Sequence, residues 1–351
     1  MPTFLPITEF LAPEARLENS GTTPVIDVRS PIEFNQAHIP GAFNIPLFDD
    51  EQRAEVGTLY SKSGKLKSIL KGLEYVGPRM HEIAKQVLKL APDGHVHVHC
   101  WRGGMRSRSV AWLLEQVDLE VSVLEGGYKA FRTHVLDSFK QSFPLFVLSG
   151  LTGSGKTEQL RLLSERGEQV IDLEAIANHR GSAFGNIGLD PQPTTESFEN
   201  QLFTKLQQLD HSQPIWVEDE SRNIGSAQLP QEFYAQLRTA PAVFMQVPRE
   251  FRRDHIAGEY GPLPKDELVS AIERITKRMG GQNVKAAVEA VRANNMKVAI
   301  DFLLDYYDRT YMANKSKMTR DVFIDLPADN PFSSDTINRL VDLAKETACN
   351  L

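Results

Sequence analysis

Cys100 and Arg106 stand with five residues between them, Trp101-Arg102-Gly103-Gly104-Met105, directly after the strand-like run His95-Val96-His97-Val98-His99. Paired glycines let a tight loop turn successive backbone N–H groups inward, which makes a nest for an anion. A cysteine at the head of such a loop feels those dipoles, the helix N-terminus that follows and the arginine. All three favour thiolate over thiol and make the sulfur a nucleophile. Cys100 and Arg106 are therefore the expected catalytic pair, and Trp101, Arg102, Gly103, Gly104 and Met105 the loop that holds the anion. No acid occurs between Asp93 and Glu115, so the mouth of the loop is expected to be locally positive. Trp101 is a candidate for stacking on a base and equally for packing.

A second constellation begins fifty residues later. Gly150-Leu151-Thr152-Gly153-Ser154-Gly155-Lys156-Thr157 fits G-x-x-x-x-G-K-[ST], after the apolar run Leu145–Ser149 and before a helical pattern. In that setting Gly150, Gly153, Ser154 and Gly155 supply the backbone N–H groups that cradle a di- or triphosphate. Lys156 reaches the terminal phosphates and Thr157 holds Mg²⁺. The run Ile215-Trp216-Val217-Glu218-Asp219-Glu220 reads as a neighbouring strand ending in acids. Glu218 or Asp219 would orient Mg²⁺ through water, and the sequence does not choose between them. No dedicated site in which protein groups alone hold the metal is expected. Asn314-Lys315-Ser316-Lys317 lacks the aspartate of a guanine-reading motif.

Other polar clusters sit where strand ends should gather. Asp172 ends a strand and Arg180 lies in the glycine-punctuated loop after it. Arg222 follows the acids of Glu218–Glu220, and Leu304–Asp308 is a further polar stretch. In the first half, Asp27 and Arg29 close the run Val25–Val28, as an ion pair bracing the loop or in a direct role. His38 precedes Ile-Pro-Gly and reads as turn-stabilising. His95, His97 and His99 alternate and so share one strand face, a poor arrangement for converging on one ion.

The elements that must carry these residues follow from local pattern. Val25–Val28, His95–His99 and Val121–Leu124 are short apolar runs suited to a buried parallel sheet. Ser30-Pro31 reads as an N-cap with proline at the first helical position. Residues 48–75 form a lysine-spaced helical stretch, 79–90 and 109–116 two more helices, and 128–143 a helical bridge ending at Pro144. A boundary there gives two domains, 1–140 and 141–351, and 351 residues suffice for two cores. Hydrophobic content of 41% and charged content of 24% are those of an ordinary globular chain. The net charge of −7 excludes a bulk basic field for nucleic acid. Local patches remain: Lys62, Lys65, Lys67 and Lys71; Arg249, Arg252 and Arg253; Arg274, Lys277 and Arg278; Lys315, Lys317 and Arg320. There is no membrane-length apolar run. Met1–Pro6 lacks the features of a signal peptide. Two distant cysteines, Cys100 and Cys349, do not make a disulfide framework. A reducing cytoplasm is expected.

The segments Val25–Arg29, Glu33-Phe34 and His38–Pro46, the Cys100–Arg106 loop, and Glu125-Gly126-Gly127-Tyr128-Lys129-Ala130-Phe131 resemble, in order, the signatures of rhodanese-like sulfurtransferases. The residues 48–75 interrupt that pattern. With the phosphate-binding loop and the stretches Asp172–Gly185, Glu218–Gly225 and Leu304–Asp308 behind it, nearly the whole chain resembles the tRNA 2-selenouridine synthase family. The resemblance implies an α/β protein: an N-terminal rhodanese-like parallel-sheet domain and a C-terminal P-loop NTPase-like α/β domain with a helical C-terminal region. It implies a tRNA-modifying transferase that acts on 2-thiouridine at the wobble position of an anticodon loop. The sulfur would first be geranylated from geranyl diphosphate, and S-geranyl then replaced by selenium from selenophosphate. A selenophosphate-supplying enzyme is a candidate partner, and no membrane is involved. Whether Cys100 carries selenium or assists its transfer stays open. The alternative is a P-loop kinase or NTPase with a regulatory rhodanese-like domain, which would turn over ATP without tRNA.

Overall fold

The computed structural model describes residues 2–12, 23–315 and 320–348, without the side chains of 313–315 and 348. Ser316, Lys317 and Cys349 lie outside the described residues, as do the side chains of Asn314 and Lys315. The chain divides into two compact units, Met1–Ser138 and Phe139–Leu351.

The first unit is built on five strands: β1 (Thr3–Leu5), β2 (Val25–Asp27), β3 (Phe43–Asn44), β4 (His95–His99) and β5 (Glu120–Leu124). Their order is β1-β5-β4-β2-β3 and every pairing is parallel. Near-continuous apolar strands demand cover on both faces. Ile26, Val96, Val98, Val121 and Val123 are buried with Ile83, Val87, Val110 and Leu114 from the helices Met80–Leu90 and Met105–Glu115. Ser30 caps the helix Pro31–Gln36, with Glu33 Oε2 accepting from the Ser30 N–H at 3.1 Å. Residues 48–75, read as helical, form two helices, Asp50–Ser63 and Lys65–Val76, joined at Gly64.

The second unit carries β6 (Leu145–Gly150), β7 (Gln169–Ile171), β8 (Ile215–Glu218), the two-stranded hairpin β9 (Asn223–Ile224) and β10 (Ala227–Gln228), then β11 (Ala242–Gln246) and β12 (Phe323–Pro327). The main sheet is parallel in the order β12-β11-β6-β8-β7. All of β6 is buried. Phe146 and Leu148 pack with Trp216, Val243 and Met245 and with Leu340 of the helix Ser334–Ala348. A separate core joins the helices Arg249–Tyr260, Lys265–Arg274, Gly281–Arg292 and Met296–Lys315 through Ile256, Leu268, Ile272, Val288 and Leu304. This is the helical region the sequence implied, but the chain then returns to the sheet as β12 and its following helix, which carried no recognisable signature. Among the described residues no helix is long and apolar enough to cross a membrane.

Candidate functional site

Both constellations sit at the C-terminal ends of parallel strands, where open α/β sheets place their sites. In the first unit Cys100 follows β4, is buried and free, and lies 3.3 Å from Ser107 Oγ. The loop after it is clamped by the segment that ends β5. The Tyr128 N–H donates to the Cys100 carbonyl at 2.8 Å and the Lys129 N–H to the Trp101 carbonyl at 3.0 Å. Gly127 has φ +60, and a Cβ there would lie 2.3 Å from the Cys100 carbonyl oxygen. Gly103, at φ +64, is pressed against the Leu124 carbonyl in the same way.

Cys100, Trp101, Arg102, Gly104, Met105 and Arg106 line a cavity of about 820 Å³, whose far wall is the helical pair of residues 50–76. Gly103 does not reach it. Arg106 donates to Glu33, Nη1 to Oε2 at 2.6 Å and Nη2 to Oε1 at 3.2 Å. Burial pushes the Glu33 carboxyl up, but Arg106 outweighs it, and the group is held below its ordinary range. The acid-free stretch between Asp93 and Glu115 thus does not leave the mouth purely positive, because Glu33 arrives from another helix. Asp27 and Arg29 take the bracing alternative. They form a fully buried pair at 2.6 Å, Arg29 also donates to the Ala37 carbonyl, and its guanidinium lies 3.8 Å from the Tyr128 ring centre. Neither lines the cavity. His99 is buried 3.7 Å from Asp27. Burial drives its pKa down to about 4, and Asp27 only partly opposes this. His97 packs on Phe10 and is likewise depressed to about 4 by burial.

In the second unit the loop Gly150–Thr157 joins β6 to the helix Lys156–Glu165. Gly153 (φ +80) and Gly155 (φ +77) hold conformations that side chains resist, and a Cβ on either would strike Ile256 or Phe332. Lys156 Nζ rests on the loop's own Gly150 carbonyl at 3.3 Å. Thr157 Oγ1 donates to Glu174 Oε2 at 3.1 Å. Gly153, Gly155, Lys156 and Thr157 line a cavity of about 680 Å³ together with Asp172, Glu174, Arg180, Glu218 and Glu220. Gly150 and Ser154 lie behind it, Ser154 fully buried.

The structure separates the two acids that the sequence left undecided. Asp219 points away from the cavity, accepting from Arg320 at 2.8 Å and from Ser149 at 2.6 Å. Both Asp219 and Arg320 are almost fully buried. Glu218 lines the cavity, accepts the Glu174 N–H at 2.8 Å through Oε1, and keeps a buried Oε2 with no partner. Burial, then the charges of Asp172, Glu174 and Glu220, push its pKa well up. Burial and the Glu174 charge raise Glu220 to about 8. Asp172 caps the short helix Leu173–Ala177 by accepting the Ala175 N–H. Arg180 donates to the Ile187 carbonyl. Arg222 is exposed and does not line the cavity.

Glu174 was not singled out in the sequence, and Glu220 was read only as one of three acids at a strand end, with Glu218 or Asp219 favoured over it. Their one signal is position, beside Asp172 and Glu218 at the ends of β7 and β8. Arg252 was read as part of a basic patch. It is instead buried, paired with Asp308 at 2.8 Å, and donates to the Thr152 carbonyl of the phosphate loop at 3.2 Å. Arg249 and Arg253 pair with Asp301, Asp305 and Asp254, so that patch is largely neutralised.

The family profile described as "tRNA 2-selenouridine synthase AAA domain" matches residues 143–329, and that of the "Rhodanese-like domain" matches 13–134. A tRNA 2-selenouridine synthase of Nitrosomonas europaea is 34% identical over 346 residues, covering 83% of this chain and 89% of that protein. One from Shewanella frigidimarina is 33% identical, covering 84% and 89%. A solved N-terminal domain from Clostridium difficile 630 is 37% identical with a TM-score of 0.35, covering 38% of this chain and 99% of that one.

Proposed function

The chain belongs to the tRNA 2-selenouridine synthase family, and on that premise we propose that its two cavities perform successive steps on one nucleoside. It is a tRNA-modifying transferase, and tRNA is its substrate. In the first step the sulfur of a wobble 2-thiouridine attacks C1 of geranyl diphosphate. The C–O bond to the diphosphate breaks, diphosphate leaves with the bonding pair, and the base gives up its N3 proton to the medium. In the second, the selenium of selenophosphate bonds to C2 of the base and expels geranylthiol, which takes up a proton. Water then cleaves the Se–P bond and releases phosphate. Alkylation comes first because it makes sulfur a better leaving group.

The observation that carries this reading is the pairing of chemistries. One cavity holds a lysine-bearing phosphate loop and the other a buried free cysteine under an arginine-rimmed mouth. Backbone N–H groups of residues 153–157 and Lys156 would hold the diphosphate and stabilise charge as it leaves. A hard divalent cation fits the oxygen set beside them. Thr157 offers its hydroxyl, and Glu218, which lines the cavity, keeps a buried Oε2 without a partner. Bound there, Mg²⁺ would neutralise charge on the diphosphate. Cys100 would handle selenium, with Arg106 and the backbone of Arg102–Met105 holding the phosphate end of selenophosphate. Asp27 and Arg29 support this loop from beneath. Tying the activity to tRNA and to a reduced thiol also favours the cytoplasm.

The test is incubation of the full chain with thiolated tRNA, geranyl diphosphate and selenophosphate, followed by mass spectrometry of nucleosides. Cys100→Ala should stop selenation and leave geranylation. Lys156→Ala should lower geranylation by about a hundredfold or more and leave selenation of pre-geranylated tRNA. Equal loss of both activities in both variants would refute this division of labour.

A further inference from the structure

The cavity over Cys100 is mostly apolar, which anion handling alone does not require. Phe48, Val56, Ile69, Leu73, Val76 and Met105 line it. Its volume of about 820 Å³ falls in the range of small-molecule sites, roughly 300–1,000 Å³. The wall is assembled unusually. None of the fourteen residues of the helix Asp50–Ser63 is buried, and the helix Lys65–Val76 buries only Ser68 and Gly72. Helices in globular proteins draw most of their stability from a buried apolar face, and this pair has almost none. Tyr60 and Leu73 face the cavity yet remain 59% and 61% exposed. Gly57 and Gly72 lie in helix interiors, where glycine is unfavourable, and both line the cavity. A Cβ on Gly57 would meet only the tip of Arg53, at 3.5 Å. Gly57 leaves room that a side chain would fill, whereas a Cβ on Gly72 would press on the Phe48 ring at 3.2 Å.

Around the same opening stand Arg53, Arg102 and Arg106, with Glu33 bonded to Arg106 and 3.7 Å from Arg53. An apolar chamber with an arginine rim and a cysteine at its floor suits a ligand with a hydrocarbon tail on a polyanion. We propose that this chamber receives the ten-carbon isoprenyl chain of S-geranyl-2-thiouridine while the anticodon backbone meets the rim. The helical pair of residues 50–76 is then the element that recognises geranylated over ungeranylated tRNA. This rests on the two-step reading above and adds to it where the alkyl group goes during the second step.

The experiment uses the full chain, selenophosphate and anticodon stem-loops whose wobble 2-thiouridine carries S-methyl, S-dimethylallyl or S-geranyl. KM for selenation should fall by about tenfold or more from the five-carbon to the ten-carbon chain, because each buried methylene contributes. Gly57→Leu fills the chamber while restoring a good helix former, so thermal melting should be unchanged or raised. In that variant the chain-length gain should shrink to less than about threefold. Leu73→Ser, at an exposed position, should do the same without filling. Equal KM for all three RNAs in the unaltered protein would overturn the proposal. So would variants that weaken every RNA alike, which would assign the helical pair to RNA or a protein partner. Failure of the unaltered protein to selenate any of them would instead remove the two-step reading, and the proposal with it.

Discussion

Glu218 and Asp219 are neighbours in sequence and opposites in surroundings, so they should respond oppositely to neutralisation. Asp219 is committed to a buried pair with Arg320. Asp219→Asn strands a buried guanidinium and should cost about 3–5 kcal/mol, read as a clear fall in melting temperature. In Glu218 burial and the neighbouring acids Asp172, Glu174 and Glu220 already disfavour the charged form. Glu218→Gln should therefore leave melting within a few degrees and lower geranylation by about a hundredfold. A Glu218→Gln protein that geranylates normally would remove this residue from the diphosphate site. The sequence offered both acids at one strand end and could not separate them. Alternation along an extended chain sends successive side chains to opposite sides, but which side holds the cavity depends on distant Arg320 and Lys156. Arg106 shows the same limit. Its place in the loop was legible, and its partner Glu33, seventy-three residues upstream, was not.

The two anion loops were the most legible elements, because their glycines act locally and leave a local mark. Gly127 carries a sharper requirement than its neighbours, since it closes the cysteine loop from outside. At φ +60 and 2.3 Å from a carbonyl oxygen, a methyl group combines backbone strain with a clash. Gly127→Ala should cost about 1–3 kcal/mol or more and displace Cys100, so selenation falls along with stability while geranylation persists. Retention of full selenation in Gly127→Ala would show that the clamp is dispensable. Other elements were hidden in the sequence. Phe323–Pro327 is only five residues long with mixed burial, and it becomes a strand because β11 offers it an edge. The helices of residues 50–76 were legible as helices but not as a wall, because a cavity is a property of what surrounds it.

For the molecule as a whole, buried titratable groups set the two units against each other. In the first, His97 and His99 have folded pKa values of about 4 against an ordinary 6.5. Between those values the unfolded chain binds more protons, so stability rises with pH up to about 6.5 and then levels. For His99 the fall from 6.5 to about 4 corresponds to about 3 kcal/mol. In the second, Glu220 is raised to about 8 and Glu218 is raised with it. There the folded chain binds more protons, so stability falls as pH climbs from about 4.5 to about 8. Calorimetry or hydrogen exchange resolved by unit should show the first gaining from pH 5 to about 6.5 and the second losing from pH 5 to about 8. Glu220→Gln should flatten the second slope and His99→Asn the first. Parallel slopes would contradict both assignments. The overall charge of −7 foretold none of this, because it counts groups without their burial. The helices over Cys100 bury almost none of their apolar side chains. Bare apolar surface attracts its like, and Tyr60, Leu66, Leu70 and Leu73 are all exposed here, so the unliganded protein should self-associate when concentrated. On the proposal made for this chamber, an S-geranylated anticodon stem-loop would cover that surface as a plug covers an open pore, and loading with it should lower the light scattering of concentrated solutions relative to the protein alone.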